Sequence, residues 1–263
     1  MNILIPTDFS DNSIHAINYV YSNFQKEHID VTLVHAIKEP QTTAGVLIRL
    51  EQLMMKDAEK DMKNLLKKVN DDYQQKPKHH IEYGYLKDWI DIYAKAHNID
   101  VIVMGTKGES NVRSIIMGSI TESVIRTSKL PVFAIPEFEK ELPVHQFILA
   151  TNKKELERVE FIQKFLDNLK LSSPNVDVLV VLNEENRGGL PKSFPLNGFQ
   201  IGVKTVENES VVDGINDYLA NNKVDILGLY HSRNSRLDYL FNRSVTKTIC
   251  GETRVPLLVI PGS

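Results

Sequence analysis

The sequence predicts an α/β protein whose parallel sheet is covered by helices on both faces. Short apolar runs alternate along the chain with amphipathic helical segments, which is the order typical of a parallel sheet. The runs also lack the polar alternation of strands that have one solvated face. A third observation is an internal repeat, because residues 99–136 align without gaps onto residues 224–261 at an offset of 125. Seven of the 38 aligned positions are identical and the apolar positions coincide almost throughout, so we expect two copies of one α/β unit.

Five strands and four helices are predicted in the first copy. The strands are the apolar runs at residues 2–6, 31–37, 80–84, 100–104 and 132–135. Between these runs, apolar residues recur at helical spacing. The first predicted helix is capped by Ser10 or Asp11, and the second is a long helix around residues 43–72. The third is capped by Asp88 and runs through Ala96, and the fourth spans about residues 119–128.

A linker separates the two copies. The segment PEFEKELPVH, residues 136–145, is acidic, contains two prolines and has no periodicity. We therefore expect one domain at residues 1–140 and a second at residues 145–263.

The second domain is expected to be a trimmed version of the first. Its apolar runs at residues 146–151 and 176–182 match the first two strands, and the segment between them carries apolar residues at helical spacing. Residues 183–198 contain three glycines and two prolines, which favours a loop. We therefore expect the second domain to lack the long second helix.

Composition and charge argue against several classes of protein. The 263 residues are 42% apolar and 25% charged with a net charge of −3, which argues against an extensive nucleic-acid-binding surface. No apolar run approaches the roughly 18 residues of a membrane span, and Asp8 comes too early for a secretory signal. The single cysteine, Cys250, fits a reducing compartment. We expect a cytoplasmic protein without membrane or nucleic-acid partners.

A glycine-rich segment follows the fourth predicted strand of the first copy. The sequence GTKGESNVRSIIMGS, residues 105–119, contains three glycines and ends where a helix is predicted to start at Ser119. In open α/β sheets, ligands bind at the carboxyl ends of strands, and glycines allow positive φ and close approach of the backbone to a ligand. Backbone N–H groups beside a helix N-terminus form an anion site, to which Ser119 and Thr121 add hydroxyl donors. These features suit a polyphosphate, although a plain turn is an equal alternative on this evidence, since the spacing matches neither a Walker A loop nor a dinucleotide fingerprint.

Four segments of the first copy together resemble the universal stress protein family. The spacing Gly105-x2-Gly108-x9-Gly118-Ser119, after a strand ending in Val-Met, resembles the ATP-binding motif of that family. The opening ILIPTDFS resembles its first strand and turn, LVHAI its second strand, and KLPVFAIP its last strand. The resemblance implies two tandem Rossmann-like domains of the adenine nucleotide alpha hydrolase-like type, each an open five-stranded parallel sheet with helices on both faces.

The resemblance also implies an ATP site in the first domain, with any Mg²⁺ arriving on the nucleotide. Asp8 would accept a hydrogen bond from adenine or support its pocket, and the alternative for Asp8 is a carboxylate that caps the first helix beside Ser10. No catalytic residue and no metal site of the protein is implied. The implied contacts are Pro6 and Thr7 lining the base, Ala36 through its backbone, Gly105, Gly108, Gly118 and Ser119 at the ribose and phosphates, and Met104, Ile120 and Thr121 beside them.

The second copy departs from this pattern at the glycines. Tyr230, Arg233 and Arg243 replace the three glycines, and Asn152 replaces Asp8. Three side chains then occupy the space that phosphates need. We expect the second domain to bind no ATP.

Function remains open between classes at this stage. We favour an ATP-binding regulatory protein of the stress response, because no general base follows the phosphate loop at a recognisable spacing. The alternatives are a slow ATPase or nucleotide-dependent transferase, and a scaffold without nucleotide.

Each copy ends in a short apolar strand bounded by prolines, and these edges are expected to pair the two domains into an intramolecular pseudo-dimer. A further homodimer and the protein partner stay open.

Overall fold

One continuous sheet of eleven strands organises the chain in a computed structural model. The structure describes residues 1–38, 44–106, 118–137, 144–150, 160–168, 175–182, 192–196, 199–231 and 255–261. The strands are β1 (Asn2–Pro6), β2 (Asp30–Ile37), β3 (Lys78–Tyr83), β4 (Val101–Gly105), β5 (Val132–Ile135), β6 (Gln146–Ala150), β7 (Asn175–Leu182), β8 (Ser193–Leu196), β9 (Phe199–Glu207), β10 (Ile226–His231) and β11 (Leu257–Pro261). The helices in these ranges are α1 (Asp11–Asn23), α2 (Ala44–Tyr73), α3 (Leu86–Ala96), α4 (Ser119–Thr127), α5 (Glu160–Asp167) and α6 (Val211–Asn221), with a 3-10 turn at Lys26–His28.

The strand order confirms the predicted α/β class. The order is β3-β2-β1-β4-β5-β11-β10-β6-β7-β9-β8, and the first five strands run parallel to one another. The next five also run parallel to one another. Successive residues of β1 face opposite sides of the sheet, so Ile3 packs in the apolar cluster with α1 and α2 while Leu4 packs in the cluster with α3, α4 and α6. Helices therefore cover both faces of the sheet.

The internal repeat appears in the register of the strands. Ile102 lies opposite Val132 between β4 and β5, and Leu227 lies opposite Leu257 between β10 and β11, each shifted by 125 positions. The aspartates of the repeat also make the same bond. An Asp100 carboxylate oxygen accepts from the backbone N–H of Asn2 at 2.8 Å, and an Asp225 carboxylate oxygen accepts from that of Gln146 at 2.9 Å.

The segment predicted to be a loop in the second copy contains a strand instead. β8 pairs antiparallel with β9, with Leu196 opposite Phe199, so a hairpin forms the end of the sheet. The two residues between the strands are Asn197-Gly198, the dipeptide most typical of two-residue hairpin connections. Pro195 is tolerated because β8 lies at the edge of the sheet. The prediction of a loop was wrong at residues 193–196, because glycine and proline content was given more weight than this hairpin signal, and residues 183–191 lie outside the described residues.

One helix start of the first copy was predicted wrongly. Ser10 is the N-cap of α1, as predicted, and its Oγ accepts from the backbone N–H of Ser13 at 3.3 Å. The prediction that Asp88 caps α3 was wrong, because α3 begins at Leu86 behind Tyr85. Asp88 lies in the first turn, where its carboxylate is favoured by the helix dipole. None of the helices in the described ranges combines the length and apolarity that crossing a membrane requires.

An antiparallel ladder between β5 and β11 joins the two copies, as the sequence predicted for their last strands. Phe133 lies opposite Leu258, and these two residues are equivalent under the 125-residue repeat. The neighbouring pairs exchange in the same way, since Val132 lies opposite Val259 and Ala134 opposite Leu257. The ladder therefore has the pattern of a two-fold interface. If a residue of one copy contacts a residue of the other, the repeat equivalents of these two residues also contact each other.

Aromatic rings cover one side of this ladder. Phe133 packs edge-to-face against Phe165 of α5, with ring centroids 5.2 Å apart, and Phe24 contacts both rings. The backbone N–H of Gln25 also donates to the carbonyl of Asn168 at 2.8 Å. The division at residues 140 and 145 stays a prediction, because residues 138–143 lie outside the described ranges.

A chain that ends at residue 140 lacks β11 and leaves the edge of β5 unpaired. Two such chains can pair β5 with β5 in the register that β11 uses, because Phe133 lies at the centre of the pseudo-two-fold. We expect residues 1–140 to sediment as a dimer and to lose stability on dilution, while the full chain keeps its β5 edge covered. Sedimentation of both chains side by side measures this. A strictly monomeric shortened chain that is as stable as the full protein would contradict it.

Candidate functional site

The sheet has a switch point between β1 and β4. From β1 the chain continues to β2 on one side and then to β3, and from β3 it crosses back to β4 on the other side of β1. The loops that follow β1 and β4 therefore leave the same edge of the sheet in opposite directions. Such a crevice outside the carboxyl ends of the strands is where open α/β sheets bind ligands. The predicted site residues that the structure describes lie at the ends of β1, β2 and β4, in the turn after β1, and at the start of α4.

The turn after β1 is held by the buried hydroxyl of Thr7, whose residue is 5% exposed. Thr7 Oγ1 accepts from the backbone N–H of Phe9 at 3.0 Å and lies 2.9 Å from Ser13 Oγ. The backbone N–H of Thr7 donates to the carbonyl of Val34 at 2.8 Å, which extends the pairing of β1 with β2. Thr7 therefore fixes the path of the chain from β1 into α1.

Asp8 organises the start of α1. Its Oδ1 accepts from the backbone N–H of Ser10 at 3.1 Å and from Ser10 Oγ at 2.5 Å. Ser10, and not Asp8, is the N-cap of α1. Asp8 thus acts on the helix through Ser10. This role is similar to the alternative stated for Asp8 from the sequence, that of a carboxylate that caps the first helix beside Ser10.

Two residues escaped prediction, Phe9 in this turn and His35 on the neighbouring strand β2. Phe9 has a φ of 64°, a left-handed conformation that is unusual for an aromatic residue and that often occurs at functional sites. Its ring centroid lies 4.5 Å from that of His35. His35 Nδ1 lies 2.7 Å from the carbonyl oxygen of Thr7, so this nitrogen carries the proton and donates. The histidine in the apolar run LVHAI was the available signal.

The loop after β4 is closed at its base. The backbone N–H of Gly118 donates to the carbonyl of Thr106 at 2.5 Å, and that of Thr106 donates to the carbonyl of Ile135 at 3.0 Å. Thr121 Oγ1 donates to the carbonyl of Gly105 at 2.8 Å. These bonds place the N-terminus of α4 directly beside the end of β4. Gly108 lies outside the described residues.

The structure gives a different reason for Gly105 than close approach to a ligand. A Cβ at this position would lie 2.8 Å from the backbone oxygen of Asn12, and the side-chain oxygen of Asn12 lies closer still. Gly105 is therefore required because α1 packs directly on the end of β4.

Gly118 also departs from the expected conformation. It is the N-cap of α4 with φ −61° and ψ 144°, which any residue adopts. The expectation of positive φ at this glycine was wrong.

The N-terminus of α4 is open. No side chain forms a capping hydrogen bond there among the residues that the structure describes, in contrast to α1 with its Ser10 cap. Ser119 and Ile120 are exposed, while Thr121 is buried. The first N–H groups of a helix without a cap need an external partner and favour anions.

The remaining predicted residues lie at the ends of adjacent strands. Pro6 ends β1 opposite Val34, Met104 is buried next to the end of β4, and Ala36 lies on β2 two positions beyond Val34. The structure therefore brings the two loops and the strand ends to one edge. Among the described residues, no three His, Cys, Asp or Glu side chains are grouped so that they could hold a metal ion.

Replacing Gly105 by alanine is expected to destabilise the protein by about 1–3 kcal/mol, the usual cost of overpacking. The added methyl group meets both the side chain and the backbone oxygen of Asn12. Adding Asn12→Ala removes the side-chain clash but not the contact at 2.8 Å with the backbone, so we expect only partial rescue. Chemical denaturation of the two variants measures this. Full rescue, or no loss in Gly105→Ala, would refute the packing explanation.

Comparison with known proteins agrees with this architecture. The model of the universal stress protein family matches residues 1–136, just over half of the chain. Universal stress protein MJ0577 of Methanocaldococcus jannaschii is 29% identical over 151 residues, which cover 51% of this chain and 93% of that protein. Universal stress protein MJ0531 of the same organism is 25% identical over 143 residues, 53% of this chain and 84% of that protein.

A solved structure extends the likeness of the fold to both copies. A universal stress protein from Archaeoglobus fulgidus superposes with a TM-score of 0.71 over 99% of this chain and 98% of its own, at 17% identity, which shows similarity of fold alone. The family match rests on the first copy, where the strand order, the closed loop after β4 and the turn after β1 all lie. The chain belongs to the universal stress protein family.

Proposed function

We propose that the first copy binds ATP at the edge where β1 and β4 end, and that the protein acts as an ATP-binding regulatory protein of the stress response. The observation that carries the proposal is the meeting of an open helix N-terminus with the switch point of the sheet. α4 starts directly at the closed base of the loop after β4, and β1 lies next to β4. Membership of the family supports the same assignment.

The phosphates would lie at the N-terminus of α4. Gly118 presents no side chain there, the first N–H groups of α4 lack a side-chain cap among the described residues, and Ser119 is exposed beside them. Backbone N–H groups together with the helix dipole favour a polyanion at such a point. Thr121 does not face the ligand freely, because its hydroxyl donates to Gly105. Its role is to hold α4 against β4.

The base would lie on the other side of the crevice, toward β2. Pro6, Thr7 and Ala36 line the ends of β1 and β2 there. Asp8 supports this wall through Ser10, since its Oδ1 already accepts two hydrogen bonds from that residue. His35 braces the same wall through the carbonyl of Thr7.

The role proposed for this site is binding and regulation. Mg²⁺ would reach it with the phosphates, where the ion neutralises phosphate charge. A nucleotide that bridges the loops after β1 and β4 stabilises one arrangement of these loops for a partner, which is the way a bound ligand shifts a conformational equilibrium. Following the release of inorganic phosphate in a single-turnover experiment separates this role from a slow ATPase.

Replacing Gly118 by valine should weaken ATP binding by roughly 100-fold while the fold is retained. Valine accepts φ −61° and ψ 144°, so the backbone is not strained, but its branched side chain occupies the space next to the open N-terminus of α4. Loss of two hydrogen bonds to phosphate at about 1.5 kcal/mol each weakens binding by roughly 100-fold. Calorimetry measures the affinity, and Thr127→Val at the far end of α4 is the control. Unchanged affinity in a folded Gly118→Val protein would refute the site.

The full chain should bind one ATP. In the second copy, Tyr230 occupies the register position of Gly105, since Tyr230 lies opposite Ile260 as Gly105 lies opposite Ile135. Arg233 and Arg243, which lie outside the described residues, replace the other two glycines. Only one loop then offers backbone N–H groups to phosphate. Titration with ATP at protein concentrations well above Kd gives the stoichiometry, and two sites per chain would contradict this prediction.

A further inference from the structure

Asn12 is a buried polar residue whose side chain has no hydrogen-bond partner among the residues that the structure describes. It lies in the first turn of α1 and is 8% exposed. Neither its side-chain oxygen nor its side-chain nitrogen has a hydrogen-bond partner among the described residues. Buried amides are nearly always paired in native proteins, and an unpaired one calls for a specific explanation such as a ligand or a water molecule. Because Ser10 already caps α1, Asn12 is not needed for capping.

Its place in the fold points toward the proposed nucleotide site. The side chain of Asn12 lies directly over Gly105, at the end of β4. The polar groups around it are paired with one another, since the carbonyl of Gly105 accepts from Thr121 and the hydroxyl of Thr7 bonds Ser13 and Phe9. Among the described groups named here, the carboxamide of Asn12 is the one whose hydrogen bonds are unused.

The chemistry of the carboxamide selects among the parts of a nucleotide. A carboxamide offers both a donor and an acceptor, so a phosphate, which only accepts, satisfies one half of it. A sugar hydroxyl both donates and accepts and satisfies either half. Adenine also offers a donor and an acceptor, but the proposed base wall lies toward β2, whereas Asn12 lies over β4. Between that wall and the open N-terminus of α4, the sugar is the part of ATP that connects base and phosphates.

We infer that Asn12 binds a ribose hydroxyl of the nucleotide and makes the site selective for ribonucleotides over deoxyribonucleotides. This inference rests on the proposed ATP site and adds a residue to it that determines specificity. It also explains why an unpaired amide is kept in a buried position.

A matched control lies on the same helix. Asn23, 7% exposed, is as buried as Asn12, but its side-chain nitrogen donates to the carbonyl of Tyr19 at 3.0 Å. Without nucleotide, Asn12→Ala should be at least as stable as the parent, because no hydrogen bond of the described structure is lost. Asn23→Ala should be less stable, because its bond is lost. Thermal unfolding of both variants without nucleotide measures this difference. A loss of stability in Asn12→Ala equal to that in Asn23→Ala would show a structural role and overturn the inference.

Binding experiments test selectivity directly. The ligands are ATP, 2′-deoxyATP, 3′-deoxyATP and inosine triphosphate, measured by competition against a fluorescent ATP analogue. The parent and Asn23→Ala should prefer ATP about 10-fold over at least one deoxynucleotide, the value of one hydrogen bond. Asn12→Ala should bind ATP about 10-fold more weakly and lose that preference, with its ratio of ATP to inosine triphosphate unchanged. If Asn12→Ala binds too weakly for a ratio, Asn12→Asp, which keeps the acceptor, should retain part of the preference.

The outcomes separate this inference from the proposed function. If Asn12→Ala binds ATP with the same ribose preference as the parent, the role of Asn12 alone is overturned. The same holds if the parent and the variant both bind ATP but neither distinguishes it from the deoxynucleotides. Equal binding of ATP and both deoxynucleotides by Asn12→Asp also overturns the role of Asn12. A variant that changes only the ratio of ATP to inosine triphosphate affinity overturns it too, because that result assigns Asn12 to the base. Failure of the folded parent protein to bind ATP at all overturns the proposed function and the inference together.

Discussion

The antiparallel ladder between β5 and β11 is the contact on which the whole architecture depends. It turns two five-stranded parallel sheets into one sheet, so that the apolar clusters on both faces continue from one copy into the other. Without it, each copy would end in an apolar edge strand with unpaired backbone groups, which is a template for aggregation. The rings of Phe24, Phe133 and Phe165 exclude water from one side of the ladder and strengthen its hydrogen bonds.

The candidate site depends on a second close contact, that of α1 with the end of β4. Because Gly105 has no side chain, the first turn of α1 lies directly on the backbone of β4 and brings the turn after β1 beside the loop after β4. Hydrogen bonds of Thr7, Asp8 and Ser10 fix the turn on one side, and that of Thr121 fixes α4 on the other. The described base of each loop is therefore held by hydrogen bonds to its own neighbouring strand and helix.

The sequence predicted those features that local patterns determine. The strands of the first copy and the repeat at an offset of 125 were placed within about two residues, because unbroken apolar runs of this length have few other solutions. β8 was missed because its signal, Asn197-Gly198, lies among residues whose composition favours a loop. Asn12, Phe9 and the packing reason for Gly105 depend on contacts between distant segments, which periodicity and composition do not report.

The two copies have kept different parts of one design. Asp225 and Gln146 preserve the bond of Asp100 and Asn2, and β11 preserves the edge of β5, so the second copy retains what the sheet and the ladder need. At the position of Gly105 it carries Tyr230, and a hairpin of β8 and β9 follows β7. Both copies therefore share the features that build the sheet and the ladder, whereas the position at which α1 packs on β4 in the first copy differs in the second.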